Sequence, residues 1–322
     1  MMNVLITSAG QRVSLLRFFK RELSHIFPGR KVFAADLQPQ FSAACQVADA
    51  FFEVPPVTHP SYPQQLMDIC LQFDIRMVVP TIDTELKVMA ENRQWFESNG
   101  IHLVISSSEF INTCRDKRKT HLFFGERDIA VPAPIDKHQP SFPLFIKPFN
   151  GSLSANTFVI RHLHELTEWH MTNEQLLFME YFDKADYDEY TVDMYYNKAG
   201  LLRCLVPRKR LLVRAGEISK GVTCYNRLVP FLADRLGCID GARGCLTAQF
   251  FMHKTNNSIA GIEINARFGG GYPLSYHAGA NYPRWLLEEY LLDQEIPVMH
   301  NWEHDLLMLR YDDEVIVHGN KG

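Results

Sequence analysis

The chain opens with an apolar run over residues 3–7, stops at Ser8-Ala9-Gly10, and resumes with Val13, Leu16, Phe19, Leu23 and Ile26. A short apolar run closed by a turn predicts a buried strand, and apolar residues three and four apart predict one face of a helix. Apolar runs at 32–35 (ending at Asp36), 51–54 and 77–80 predict three more strands, with helical spacing over 62–73 between the last two. Strands alternating with helices predict a parallel sheet covered on both faces.

The pattern changes near Asp116. Residues 117–125 predict a helix, Pro132-Ala133-Pro134 a turn, and Leu144-Phe145-Ile146 a strand that finishes in Lys147-Pro148. From Leu176 onward the chain reads as antiparallel hairpins. Residues 189–196 alternate, with Glu189, Thr191, Asp193 and Tyr195 on one face, and the turn 197–200 precedes a return strand over 201–206. Residues 247–252 and 259–264 flank Lys254-Thr255-Asn256-Asn257 in the same way, and a helix over 283–292 starts with proline in its first turn.

With 322 residues, 46% of them hydrophobic, the chain is large enough for two or three lobes with a full core. The seven cysteines include no Cys-x-x-Cys pair and are odd in number, so they are expected to be reduced thiols in a cytoplasmic protein. The start carries no signal-peptide pattern, and no apolar run is long enough to span a bilayer. A net charge of −4 with mixed signs leaves no polycationic face for nucleic acid. Internal repeats and low-complexity segments are absent. The turn 8–12 has one glycine where a dinucleotide fingerprint needs three, so Asp36 is expected to be structural or near substrate rather than a ribose ligand. Thr81 and Asp83, just past a strand end, are expected to face a cleft. His253, His277, His300 and His304 have no metal spacing and read as ordinary polar or core positions.

Glu263 and Asn265 stand two apart on a predicted strand and share a face. A hairpin turning about Asn256 sets Gln249 opposite Glu263, whereas a slip of one residue turns Gln249 to the wrong face. One carboxylate and two amides suit a magnesium ion already held by phosphates. Arg267 and the glycine run Gly269-Gly270-Gly271 follow at once, a guanidinium and exposed backbone amides suited to an anion.

The stretch Gly261-Ile262-Glu263-Ile264-Asn265-Ala266-Arg267, the upstream Gln249 and the Lys147-Pro148 pair resemble the ATP-grasp superfamily, nearest its carbamoyl-phosphate synthase large-chain branch. The resemblance spans nearly the whole chain. It implies a Rossmann-like parallel sheet, the pre-ATP-grasp domain, over 1–112. An ATP-grasp fold of two α+β lobes follows, a small lobe over 113–182 and a large lobe with the metal and phosphate site over 183–322.

Carried over residue by residue, it implies that Lys147 contacts adenine and the α-phosphate and that Lys117, or Lys119 beside it, supplies an earlier cation. It further implies that Glu180, Tyr181 and Phe182 form the adenine hinge, that Glu189 grips the ribose, that Gln249, Glu263 and Asn265 hold magnesium (or manganese), and that Arg267 binds the phosphoryl group in transfer. The loop after Lys147-Pro148 departs from the family in having one glycine, leaving Ser152, Ser154 and backbone amides to meet the phosphates. Arg208, Lys209, Arg210, Arg214 and Lys220 are placed on either the acceptor or the triphosphate side.

The implied activity is ATP-dependent ligation of a carboxylate to an amine or thiol through an acyl phosphate, with small-molecule substrates and, at this size, a homodimer as the plausible assembly. A nucleotide-binding regulator with a degenerate grasp site is the alternative that the glycine-poor loop suggests.

Overall fold

A computed structural model describes residues 2–151, 156–214 and 216–319. Five parallel strands build the first sheet: β1 (Asn3–Thr7), β2 (Val32–Asp36), β3 (Phe51–Glu53), β4 (Ile75–Pro80) and β5 (His102–Leu103), in the order β3-β2-β1-β4-β5. Val4, Leu5 and Ile6 are fully buried, as a central parallel strand covered on both faces requires. The order reverses between β1 and β4, which opens a crevice beyond the carboxyl ends of these two strands. Arg12 and Asp83 follow those strand ends.

Two antiparallel sheets make up the rest. β6 (Leu144–Pro148), β7 (Phe158–Ile160) and β8 (Leu176–Glu180) form a small sheet in the order β7-β6-β8, over a core of Leu144, Ile146, Ile160, Leu176 and Phe178. The large sheet runs β13-β12-β9-β10-β11-β14, from β9 (Tyr187–Tyr196), β10 (Leu202–Arg214), β11 (Glu217–Thr223), β12 (Gly244–His253), β13 (Ile259–Asn265) and β14 (Leu307–Leu309). A parallel sheet followed by antiparallel α+β lobes is the expected fold class.

Helices tie these parts together. On helix Val13–Ile26, Phe18 stacks on Tyr276 with ring centroids 3.7 Å apart, and the Tyr276 hydroxyl donates to Glu22 at 2.6 Å. The parallel sheet is thereby fastened to the large sheet through one continuous core. Helix Lys117–Gly125 packs on β13, with the Phe124 ring against Gly261; a Cβ there would sit 2.6 Å from the ring, so only glycine lets helix and strand approach this closely. All seven cysteines are free. Among the described residues, no helix is long and apolar enough to cross a membrane.

Candidate active site

The two antiparallel sheets, helix Lys117–Gly125 and the segments that follow β1 and β4 line a cavity of about 610 Å³. Of the residues expected at the site, Lys117, Lys147, Glu180, Tyr181, Phe182, Glu189, Gln249, Glu263, Asn265 and Arg267 all line it. Ser152 and Ser154 lie outside the described residues.

The facing of Gln249, Glu263 and Asn265, the expected metal ligands, depends on an irregularity. Near the turn the β12–β13 pairing is Met252 with Ile259, Phe251 with Ala260 and Phe250 with Gly261; beyond a bulge it becomes Gln249 with Glu263, Ala248 with Ile264 and Thr247 with Asn265. Had the register at the turn continued, Gln249 would oppose Ile262 and Glu263 would project from the other face. The bulge absorbs Ile262 as one extra residue and restores the pairing that brings the three oxygen donors to one wall. Asn265 donates to Glu263 through Nδ2 at 3.3 Å.

Two lysines flank Glu263. Lys117 is the first residue of its helix, a place where the helix dipole disfavours a cation, yet it is buried there. Its Nζ lies 3.6 Å from Glu263 Oε2 and donates to the Gly151 carbonyl at 2.7 Å. Lys147 is 5% exposed on β6, and burial lowers its pKa to about 8, with Glu263 pulling the other way and Lys117 adding to the fall. Burial pushes the Glu263 carboxyl up, but Lys117 and then Lys147 outweigh it and leave it below its ordinary value, hence ionised. Beside them, burial, Lys147 and Lys117 take His121 down to about 4, so it is neutral. The arrangement is one fixed anion under two cations, with room for more negative charge.

At the opposite wall β8 ends in Glu180, whose N–H donates to the Ala133 carbonyl at 2.8 Å, followed by Tyr181 and by Phe182, buried against Tyr187 and Phe251. Glu189 faces the cavity with Arg210 Nε 3.3 Å from its Oε1. Arg210 is thus an ion-pair neighbour of this carboxylate, while its Nη2 donates to the Gly216 carbonyl at 3.3 Å. Arg208 has a different fate: fully buried, it grips Asp193 through Nε at 2.8 Å and Nη2 at 3.1 Å, while Thr247 and Ser275 hydroxyls donate to the same carboxylate. It is a core ion pair whose guanidinium edge touches the cavity. Arg214 is exposed and pairs with Asp312 at 3.0 Å.

Arg267 is tied to the parallel sheet's helical layer, since Nη2 and Nε donate to Asp83 Oδ2 at 2.7 and 3.2 Å and Nη1 to the Phe268 carbonyl at 3.2 Å. Asp83 does reach the cleft as expected. Thr81 does not: it is fully buried, and its hydroxyl donates to the Thr7 and Ser8 carbonyls, bracing the turn after β1. Asp36 proves structural, accepting from the Gly10 N–H at 2.8 Å.

The glycine run lines the cavity, but the protein itself uses the space it leaves. A Cβ on Gly270 would meet the Glu217 carboxylate, and one on Gly271 would collide with the Arg208 guanidinium. Arg12 and Glu217, both on the cavity wall, escaped sequence reasoning; nothing in the local pattern of an isolated turn arginine or a hairpin glutamate marks them.

The chain is similar to two families: that described as "PylC-like, N-terminal domain" over residues 4–104, and that described as "ATP-grasp in the biosynthetic pathway with Ter operon" over residues 172–312. No curated protein is detectably similar in sequence. Among solved structures, the biotin carboxylase domain dimer of Hydrogenobacter thermophilus 2-oxoglutarate carboxylase, in complex with MgADP and bicarbonate, superposes with a TM-score of 0.72 at 13% identity, covering 95% of this chain and 73% of that one. L-amino acid ligase from Bacillus licheniformis gives 0.67 at 17% identity, covering 90% and 74%. An ADP complex of N5-carboxyaminoimidazole ribonucleotide synthetase gives 0.68 at 15%, covering 93% and 79%. At these identities the likeness is one of fold.

Proposed function

We propose that the chain, similar to an ATP-grasp family over residues 172–312 and alike in fold to the structures above, is an ATP-dependent ligase that activates a carboxylic acid as its acyl phosphate and passes the acyl group to an amine or thiol. The observation that carries this reading is the convergence of Gln249, Glu263, Asn265, Arg267, Lys117 and Lys147 on one cavity.

The donor set fits magnesium ATP. Among the described residues no group of three or more His, Cys, Asp and Glu side chains could cage a metal. Gln249, Glu263 and Asn265 offer instead one carboxylate and two amides, a weakly charged oxygen set that leaves most of the coordination sphere to phosphate and water. Bound there, the metal nucleotide supplies the phosphoryl group and the charge neutralisation that its transfer needs.

The protein's own share is placement and electrostatics. Lys147 and Lys117, both electrostatic partners of Glu263, offer positive charge to the triphosphate. Glu180 to Phe182 line the wall suited to the base, and Glu189, with Arg210 as its ion-pair neighbour, takes the ribose hydroxyls. Arg267, fixed by Asp83, faces the phosphoryl group in transfer and the acyl phosphate that forms. Such a step needs no protein nucleophile: a carboxylate oxygen bonds to the γ-phosphorus as ADP leaves, and the acceptor then displaces phosphate from the acyl carbon.

We assign 1–112, 113–182 and 183–322 as the three functional parts, with helix Lys117–Gly125 reaching onto the large sheet. The free cysteines support a reducing, cytoplasmic setting, and a homodimer is the assembly to test by light scattering.

The deciding experiment is a screen of acids, amines and thiols for stimulated ADP release. Turnover with an acid and acceptor pair, abolished in Glu263→Ala and in Lys147→Ala, is the expected result. Tight ATP binding with no ADP formed in any mixture would overturn the reading, as would normal turnover in either variant.

A further inference from the structure

Positive charge collects at two separate places in the cavity. Lys117 and Lys147 surround Glu263 at one. At the other, beyond Arg267, the guanidiniums of Arg12, Arg267 and Arg310 face the carboxylates of Asp83 and Glu217. Asp83 is taken by Arg267, and Arg310 Nη1 donates to Glu217 at 2.9 Å. That leaves Arg12 over. Its side chain makes no hydrogen bond or ion pair with any described residue, although it lines the cavity and is partly buried. Burial and then Arg267 pull it below its ordinary pKa, which an anion would relieve.

Its location separates it from the triphosphate side. Arg12 begins helix Val13–Ile26 just past β1, and Asp83 begins a helix just past β4, so both stand at the crevice where the parallel sheet reverses direction. Such a crevice is where open α/β sheets bind ligands. The principal electrostatic partners of Glu263 are Lys117, Lys147, Asn265 and Arg267, and Arg12 is not among them, whereas Arg267 is a partner of both groups. Arg267 thus stands between the phosphoryl end and the Arg12 end.

We propose that Arg12 is a specificity residue that receives a second anionic group, a carboxylate or a phosphate, on the acid that the site activates. A guanidinium whose N–H groups have no hydrogen-bond partner among the described residues presents paired donors that match either group; Glu217 and Asp83 attract it only through space, and a neutral substituent would leave its donors unsatisfied. The substrate is accordingly a dianionic acid. This rests on the ligase reading of the same cavity.

The test is binding and turnover of matched acids: L-glutamate against L-glutamine, succinate against butyrate, and O-phospho-L-serine against L-serine. Calorimetry with each acid, in the presence of ADP and magnesium, is expected to show at least one dianionic member binding about tenfold or more tightly than its partner, a charged hydrogen bond being worth roughly that much. Whether the carboxylate or the phosphate pairs show it identifies the second anion. Arg12→Ala should erase the preference and Arg12→Lys restore part of it, with ADP affinity and melting temperature unchanged. In turnover the loss should fall on KM for the acid rather than on kcat. Equal affinity within every pair, or a preference that survives Arg12→Ala, overturns the proposal. Failure to form ADP with any acid would count against ligation alone, because the calorimetric comparison reads the Arg12 contact without chemistry.

Discussion

With Lys147 as the proposed nucleotide contact, ADP affinity is expected to depend on pH in a window where few lysines titrate. Its pKa in the free protein is about 8, from an ordinary 10.5, and burial is the first cause. Phosphate oxygens beside Nζ restore the charged form, so ADP binds the protonated protein and proton uptake accompanies binding at pH 8 to 9. With only the protonated form competent, the apparent Kd rises by the inverse of its fraction, from about 1.1-fold at pH 7 to about 11-fold at pH 9, or roughly 1.4 kcal/mol.

The sign for stability is opposite. A lysine whose charged form is penalised in the native state burdens folding fully below the folded pKa, so native stability rises between about 8 and 10.5 by roughly 3 kcal/mol from this group. The assay is ADP titration by calorimetry at fixed magnesium between pH 7 and 9.5, in two buffers of different ionisation enthalpy to count protons. Lys147→Arg keeps its charge throughout and should give a flat profile. A flat profile in the wild type, or an equal slope in Lys147→Arg, would refute the reasoning.

Three further outcomes follow from the geometry. Glu263→Gln removes the carboxylate that interacts with Lys117 and Lys147 and that is proposed to hold the metal; turnover should fall about 10²-fold or more, and the pH at which ADP affinity is lost should move below that of the wild type. Gly261→Ala drives a methyl into the Phe124 ring; thermal melts should show about 1–3 kcal/mol of destabilisation, and ADP should bind more weakly because the helix carrying Lys117 is displaced. Arg208→Met strands the buried Asp193 carboxylate with hydroxyl donors alone, and denaturant unfolding should register a loss of about 3–5 kcal/mol.

Much of this molecule could be read from residue order alone. The helix 117–125 and the strand β1 have the expected bounds, because each is set by a local period and a local stop. Other elements left weaker traces. Helix Asp83–Glu91 buries only Glu85, Leu86 and Met89, and β11 and β14 are short and mixed in polarity, so none stood out.

At the site, the shared facing of Gln249, Glu263 and Asn265 was legible because all three belong to one hairpin. Its bulge was not, because the register at the turn reflects local backbone geometry, such as the left-handed Asn257 at φ 57°. Arg208 illustrates a further limit. Its basic neighbours suggested a contact on either the acceptor or the triphosphate side, whereas its role is decided by Asp193 on the adjacent strand and by Thr247 and Ser275 from elsewhere in the chain. Arg12, Asp83 and Glu217 meet only when three distant segments fold together, a proximity that no spacing encodes.

The extra residue at Ile262 also divides the hairpin mechanically. On the distal side, 254–257 can vary in length or shape, and a change that alters the parity of pairing has a place to be taken up before it reaches the ligands. Grafted turns of one residue more or fewer should therefore relocate or remove the bulge while the oxygen wall keeps its facing, so the tip of this arm is free to diversify without disturbing the chemistry at its root.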